Sequence, residues 1–376
     1  MPKSAHLPEC EATLVQAAIT TSYNSQDAGL ITSLMPKSWT RFCSLPTIGV
    51  AALIVVIAIS PLAASQQQQQ APTDSGAVIW TDPGDIRTRN LYWGPGGEQH
   101  QPQPPVEFLE EDMHGTNPKF DVRDAAGTKW RVKLGNEARP EVVATRLLWA
   151  VGYTANENYF LPMLHVNNMP AQLRRGQNLA GNGGDVPDVR LQRRPENQKK
   201  IGNWNWRNNP FAGTREFNGL RVMMALIRNW DLDDENNAIL EDKKNSDRKI
   251  YEVSDVGTAF GSSGRRYYQK NSKGNIDAYR RGRLIHLVHA DFIDLRFPTM
   301  PPLSFIFDLP FYAAQLHARW VGKHIPRADA KWIGSLLSQL SPDQIREAFR
   351  AAGYSPAVIE AYTTTLIARI QELNRL

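Results

Sequence analysis

Hydrophobic and polar positions change their period more than once along the chain. From Val106 onward, apolar and polar residues alternate in three short runs, Val106–Glu110, Lys119–Arg123 and Lys129–Leu134. Gly and Asn-Pro turns part them, and a period of two with such punctuation predicts strands. Between Pro140 and Tyr153 the spacing lengthens: Val142, Val143, Leu147, Leu148 and Val151 form one stripe, Pro140 suits a first turn and Gly152 closes it, which predicts a helix. Residues 166–215 read as loop-rich, with GQNLAGNGGDVPD the least patterned part. A second helix is expected over Phe217–Trp230, with Leu220, Met223, Met224 and Ile227 on one face, then short strands around Asn237–Leu240 and Lys249–Val253. The last third reads as helical. Ser341–Pro342 starts one helix that stops at Gly353, and Ser355–Pro356 starts another. Strands early and helices late make the chain α+β.

Upstream of Val106 the pattern differs. An apolar run, Leu45–Ala64, follows Lys37 and Arg41 and ends in small residues before Gln66–Gln70. A positive flank, an apolar core and small residues at its end describe an export signal, and Met35, which repeats the opening MPKS, is the candidate start. The uninterrupted part, Ile48–Ile59, is about 12 residues against the ~20 of a membrane span; a cleaved signal and a membrane anchor through residues 45–64 both stay open. Expected localisation is therefore exported (periplasmic, extracellular or secretory lumen), with membrane-anchored as the alternative. Residues 66–105, rich in Gln, Pro and Gly, read as a linker, in which Trp80 and Tyr92–Trp93 suggest docking onto the domain downstream. The expected division is thus 1–65, 66–105, 106–165 and 166–376.

Composition narrows the chemistry. The chain of 376 residues has 41% hydrophobic and 22% charged residues, too apolar for a disordered protein. Its net charge is +5, with basic clusters at Arg174–Arg175, Arg193–Arg194, Lys199–Lys200 and Arg280–Arg283. No zinc-finger or RNP-like pattern accompanies them, so nucleic acid is not an expected partner. The cysteines, Cys10 and Cys43, both precede the end of the apolar run; cleavage there leaves no disulfide, zinc-thiolate site or cysteine nucleophile. No Walker A, G-x-S-x-G or H-E-x-x-H occurs. His286 and His289 fall three apart on an expected helix face and lack a third ligand, which favours a structural pair. Trp204 and Trp206 read as packing residues rather than a base-stacking platform.

The densest chemistry lies in 228–264, RNWDLDDENNAILEDKKNSDRKIYEVSDVGTAFGSSG. Asp231, Asp233, Asp234 and Glu235 stand beside Asn236 and Asn237 at a helix end, and a hairpin then delivers Asp255. Phosphoryl transfer uses such groups: one carboxylate orients the attacking hydroxyl, while an Asn and a second carboxylate hold Mg²⁺ through hard oxygens. An acidic surface turn is the bland alternative. A calcium loop fails at its sixth position, Asn236, and its twelfth, Asp242.

N-W-D-x-x-x-x-N followed by S-D-V-G-T-A-F-G resembles the catalytic and metal loops of atypical protein-kinase-like enzymes: HipA-type, CotH-type and type II phosphatidylinositol 4-kinases. The resemblance implies a two-lobed kinase-like fold, a small antiparallel β lobe with one helix and a larger, mainly helical lobe. It makes Asp231 the catalytic residue and Asn236 and Asp255 the metal ligands, with Gly257 and Phe260 completing the second motif. HGTNPKFDVRDAAGTKWRVKLG resembles the phosphate-covering turn and lysine strand, which implies Lys133, Lys119 and Gly115 as nucleotide contacts. Glu141 pairs with Lys133 in this reading, with Glu137 as the open alternative. The cofactors implied are ATP and Mg²⁺, with Mn²⁺ a substitute, and the acceptor is a hydroxyl on a protein, lipid or glycan. The pattern departs from ordinary kinases in lacking His-Arg-Asp and a G-x-G-x-x-G loop. A catalytically inactive kinase-like binding module at the cell surface, and adenylyl rather than phosphoryl transfer, remain the alternatives.

Overall fold

The computed structural model describes residues 76–115, 117–194, 197–243, 245–262, 273–298, 316 and 319–376. The chain divides into two compact units, Met1–Gln67 and Gln68–Leu376, and every described residue belongs to the second. The apolar run 45–64 and Met35 lie outside the described residues. Among the described residues no helix is long and apolar enough to cross a membrane.

The alternating segment closes into a barrel. Strands β2 (Val106–Glu111), β3 (Lys119–Arg123), β4 (Lys129–Lys133), β5 (Asn158–Asn167) and β6 (Asp185–Arg193) are ordered β2-β3-β4-β6-β5. All neighbouring pairs are antiparallel except β2 with β5. Because successive side chains point to opposite faces, Phe120, Val122, Trp130, Val132 and Leu191 fill the buried barrel interior. The intervening residues of the same strands take the other face. Lys133 there stands in register beside Lys119 on one side and Arg190 on the other. K-W-R-V-K thus spends its apolar residues inward and delivers its lysines outward.

The segment read as loop-rich contributes β6 and also β7 (Gln198–Gly202). The sequence hides β6 because Pro187 interrupts it and Asp188 takes a left-handed φ of 51°, which shifts the inward positions from Val186 to Val189 and Leu191. The barrel therefore runs past residue 165 to Arg193. Beyond it, β7 pairs with β8 (Asn237–Asp242), which pairs with β9 (Asn245–Val253). Strand β1 (Ala77–Val78) adds to the far edge, parallel to β9. Lys249 N–H donates to the Gly76 carbonyl at 2.9 Å, and a Cβ at Gly76 would collide with the Asp247 carbonyl oxygen. Other parts of the arm are also seated. Ile79, Ile86 and Leu91 are buried, and the Trp80 indole donates to the Val151 carbonyl at 2.7 Å.

Helices α1 (Ala138–Ala150) and α2 (Arg215–Leu226) begin and end within a few residues of their expected limits. Each contributes to the larger of two apolar cores. Trp204 and Trp206 lie in that core, their rings 4.7 Å apart, which matches a packing role. The C-terminal third is not wholly helical. After α3 (Ile276–Arg281) comes a three-stranded sheet of β10 (Ile285–Val288), β11 (Phe292–Leu295) and β12 (Ile325–Pro326). His286 is therefore on a strand and shares no helix face with His289, whose ring stacks on Phe292 at 4.2 Å. A short apolar run such as I-H-L-V cannot be assigned to helix or strand by period alone. Three helices finish the chain: α4 (Arg327–Leu337), α5 (Pro342–Arg350) and α6 (Pro356–Asn374). A reciprocal Ser341–Gln344 capping box starts α5.

Candidate active site

Lys133 ends β4 with its ammonium among three carboxylates. It donates to Glu137 Oε2 at 3.0 Å, Glu141 Oε2 at 2.9 Å and both oxygens of Asp255 at 3.1 and 3.0 Å. Glu137 is the N-cap of α1 and Glu141 lies in its first turn, so two consecutive turns of one helix face the lysine. The choice left open between the two acids is resolved as both. Glu141 is also 3.4 Å from Arg190 of β6, and Arg190 donates to Asn158 Oδ1 at 3.1 Å and Gln192 Oε1 at 2.8 Å.

The two acidic loops meet through one carbonyl. Asn236 O accepts from Ser254 N at 2.8 Å and Asp255 N at 3.3 Å, so the β8–β9 hairpin returns the second loop against the first. Asn236 Nδ2 donates to the Asp231 carbonyl at 3.3 Å, which leaves Oδ1 as the side chain's acceptor. Asp255 Oδ1 accepts from Gly257 N at 3.1 Å. Gly257 is required by close approach: a Cβ there would lie 2.8 Å from Cβ of Glu137. Phe260 anchors the loop at the other end. With φ at 56°, it donates its N–H to Ile227 O at 2.7 Å. Its ring packs on Tyr279, Phe349 and Tyr362 at 5.4, 5.4 and 5.7 Å.

Electrostatics separates the acids. Burial raises the Asp255 carboxyl, but Lys133 and the Gly257 N–H outweigh it and bring it down to about 2. Asp231 has no such partner: burial first, then Asp255, Asp233 and Glu137, push it up to about 7, against the weaker pull of Lys273. Burial lowers the Lys133 ammonium, yet Asp255, Glu141 and Glu137 more than reverse this and raise it above the ordinary lysine range. For Glu141 burial wins, and its carboxyl rises despite Arg190 and Lys133. Asp255 lies in a cleft, with 36% of its side chain open, whereas Lys133 keeps only 4%.

Lys119, Lys133, Glu141, Asp231, Asn236 and Asp255 thus converge. Lys119 lies beside Lys133 and 3.9 Å from Asp112. Gly115 is in the β2–β3 turn, where a Cβ would be 3.5 Å from Lys119 Nζ. Glu137, Glu141 and Asp255 could together ligate a cation, but Glu137 and Glu141 are buried against the Lys133 ammonium, and of the three acids Asp255 opens to the cleft. The donor set that suits a hard divalent ion is the other one. Asp255 and Asn236 Oδ1 offer oxygen, and the repulsion that adds to burial in raising Asp231 is what a cation between these loops would relieve.

Two contributors carried no sequence signal. Lys273 bonds Glu137 Oε1, and Arg190 backs Glu141. Each is a single polar residue in a segment without a motif. Asn117, within the HGTNPKF turn, donates its side-chain amide to Glu137 Oε2. Only the outward parity of β6 could have flagged Arg190.

No family model matches the chain, and no curated protein matches it. Among solved structures it is similar to the Helicobacter pylori proinflammatory kinase CtkA, with 12% identity over 72% of this chain and 94% of that one, at a TM-score of 0.39. It is also similar to the Golgi casein kinase, with 11% identity over 73% and 71% and a TM-score of 0.33. A Shewanella oneidensis MR-1 HipA–HipB–operator DNA complex matches with 10% identity over 74% and 69% and a TM-score of 0.31. Overlaps of this size do not define function; the residues of the cleft have to.

Proposed function

We propose that the protein is a phosphotransferase of two-lobed, kinase-like design that moves the terminal phosphoryl group of a magnesium nucleotide, ATP by preference, to a hydroxyl acceptor. The observation that carries this is the Lys133 ammonium, bonded at once to Glu141 of α1 and to Asp255 of the loop that Asn236 holds in place. A lysine fixed this way offers a charge to the inner phosphates of the donor. Asp255 and Asn236 would hold the metal, which supplies charge neutralisation on the phosphates. Lys119 and the turn containing Gly115 lie on the donor side, beside Lys133.

Asp231 orients the acceptor. The acceptor's hydroxyl oxygen attacks the terminal phosphorus and forms the new O–P bond. The bond from that phosphorus to the bridging oxygen breaks, its electron pair leaves on the nucleoside diphosphate, and the acceptor proton passes to the Asp231 carboxylate. Burial first, and the acids around it, raise this carboxyl and so make it a better proton acceptor than a free aspartate. The acceptor is a protein or surface-molecule hydroxyl on the exported side, with residues 45–64 as the export signal or anchor.

Thermal melting of the purified full chain with ATP and Mg²⁺ or Mn²⁺ tests the reading. The expected result is a nucleotide-dependent rise in Tm that Asp255→Ala removes. Autophosphorylation should accompany it, and Asp231→Asn should cut the rate on the order of 10²-fold or more while keeping the rise in Tm. No rise at millimolar ATP with either metal favours a binding module instead.

A further inference from the structure

The loop that carries the acceptor-side acid is acidic throughout. Between Asp231 and Asn236 stand Asp233, Asp234 and Glu235, with no lysine or arginine. Charge spreads over the equatorial oxygens of the phosphoryl group in flight, and cations aimed at it supply a large part of catalysis. Lys133 sits on the donor side, bonded to three carboxylates. The acceptor side needs a positive group from elsewhere in the chain.

Lys273 is in that place. It precedes α3, and its neighbours fix it: Gly274 N–H donates to the Ala259 carbonyl at 3.0 Å, and Asn275 caps α3 through the Ala278 N–H at 3.0 Å. The side chain, 13% exposed, reaches Glu137 Oε1, and its ammonium lies 5.9 Å from the ring centroid of Trp230, the residue before Asp231. One carboxylate therefore holds two ammonium groups, Lys133 on Oε2 and Lys273 on Oε1. Glu137 is 3% exposed in its side chain, and its carboxyl falls below the ordinary range. Burial raises it, but Lys133 and Lys273 against Asp255 leave it lowered. An ammonium has three donors; among the described residues the bond to Glu137 uses one and leaves two.

Resting on the kinase-like reading of the cleft, we propose that Lys273 is a further catalytic residue, a cation held by Glu137 to contact the phosphoryl group as it crosses from donor to the acceptor at Asp231. It takes the part that a basic residue of the acid loop would otherwise play. Glu137 is its positioning residue.

The test uses the full chain with Mg-ATP, reading ATP turnover and autophosphorylation alongside the nucleotide-induced rise in Tm. Lys273→Met should lower kcat by about 10²–10³-fold, as for loss of one transition-state donor. KM for ATP should stay within about threefold, the signature of a contact made only in the transition state. Lys273→Arg keeps the charge and should recover more than about a tenth of the wild-type rate. Wild-type kcat in Lys273→Met overturns the proposal, and so does loss of the rise in Tm together with kcat, which marks a binding or structural lysine. A wild-type chain with neither turnover nor a rise in Tm overturns the reading of the cleft itself, and this inference with it.

Discussion

The loops of Asp231 and Asp255 touch through the carbonyl of Asn236, yet the same burial leaves their carboxyls at about 7 and about 2. Both lose water, which disfavours charge, and both feel other acids nearby. What separates them is the reach of Lys133, which bonds both oxygens of Asp255, whereas burial and three neighbouring acids outweigh the pull of Lys273 on Asp231. One acid is thereby kept ionised, as a ligand for a cation must be. The other is poised to exchange a proton near neutrality. A single strand-borne lysine makes two chemically identical groups titrate in opposite directions, as the proposed roles require.

Removing that lysine should break the contrast with the largest effect. Lys133→Met leaves Glu137, Glu141 and Asp255 facing one another with weaker support from Arg190, Lys273 and Lys119. Loss of one partner from a buried ionic cluster costs about 3–5 kcal/mol. In a protein of this size that should appear as a fall in Tm on the order of 10 °C. The variant should also lose turnover. An unchanged Tm would mean that the cluster contributes no net stability.

Acid titration of the metal-free protein should sharpen the contrast at intermediate size. Asp231 is raised, so the folded state holds a proton that the unfolded chain has released; its contribution to stability is present at low pH and is lost as pH rises from about 4 to about 7. Asp255 is depressed, so its contribution is present above about 4 and is lost as pH falls towards about 2. Difference curves of Tm against pH for Asp231→Asn and Asp255→Asn should therefore have opposite slopes. Parallel curves would remove the basis for assigning the roles. With Mg-ATP present, turnover should rise with pH as the Asp231 carboxyl, raised by burial and its acidic neighbours, gives up its proton.

The smallest effect is expected at the turn between β2 and β3. Asn117 ties that turn to Glu137, and Asn117→Ala should cost about 1 kcal/mol, typical of one hydrogen bond. KM for the nucleotide should rise a few-fold with kcat little changed. A fall in kcat with constant KM would place Asn117 in the chemical step.

Much of this architecture was legible in the sequence, for identifiable reasons. The first three barrel strands alternate cleanly and are bounded by turns. The helix bearing Glu141 has a Pro start and a Gly stop. Asp231, Asn236 and Asp255 stand out in the sequence because side-chain types and backbone spacing agree, and a hairpin is the shortest way to join the loops. The convergence of Lys133 with Glu141 could be anticipated only through family likeness, since nothing local says that residue 133 is buried. β6 escaped because Pro187 and the left-handed Asp188 break its alternation. The strand of His286 looked helical because four residues do not set a period. Lys273 was invisible: its role depends on where Ala259 and α3 place it, which is tertiary information.

The pairing of β1 with β9 gives the arm a mechanical meaning. Ala77 and Val78 lie alongside Lys249 and Ile250, and β9 runs on through Val253 to the loop of Asp255. Tension applied through the chain ahead of Gly76 would load this seam first, drawing on the strand that positions the metal-side acid. A chain held from that end should therefore couple pulling force to the geometry of its own cleft. Single-molecule extension from the amino-terminal side, with and without Mg-ATP, would measure that coupling as a nucleotide-dependent rupture force.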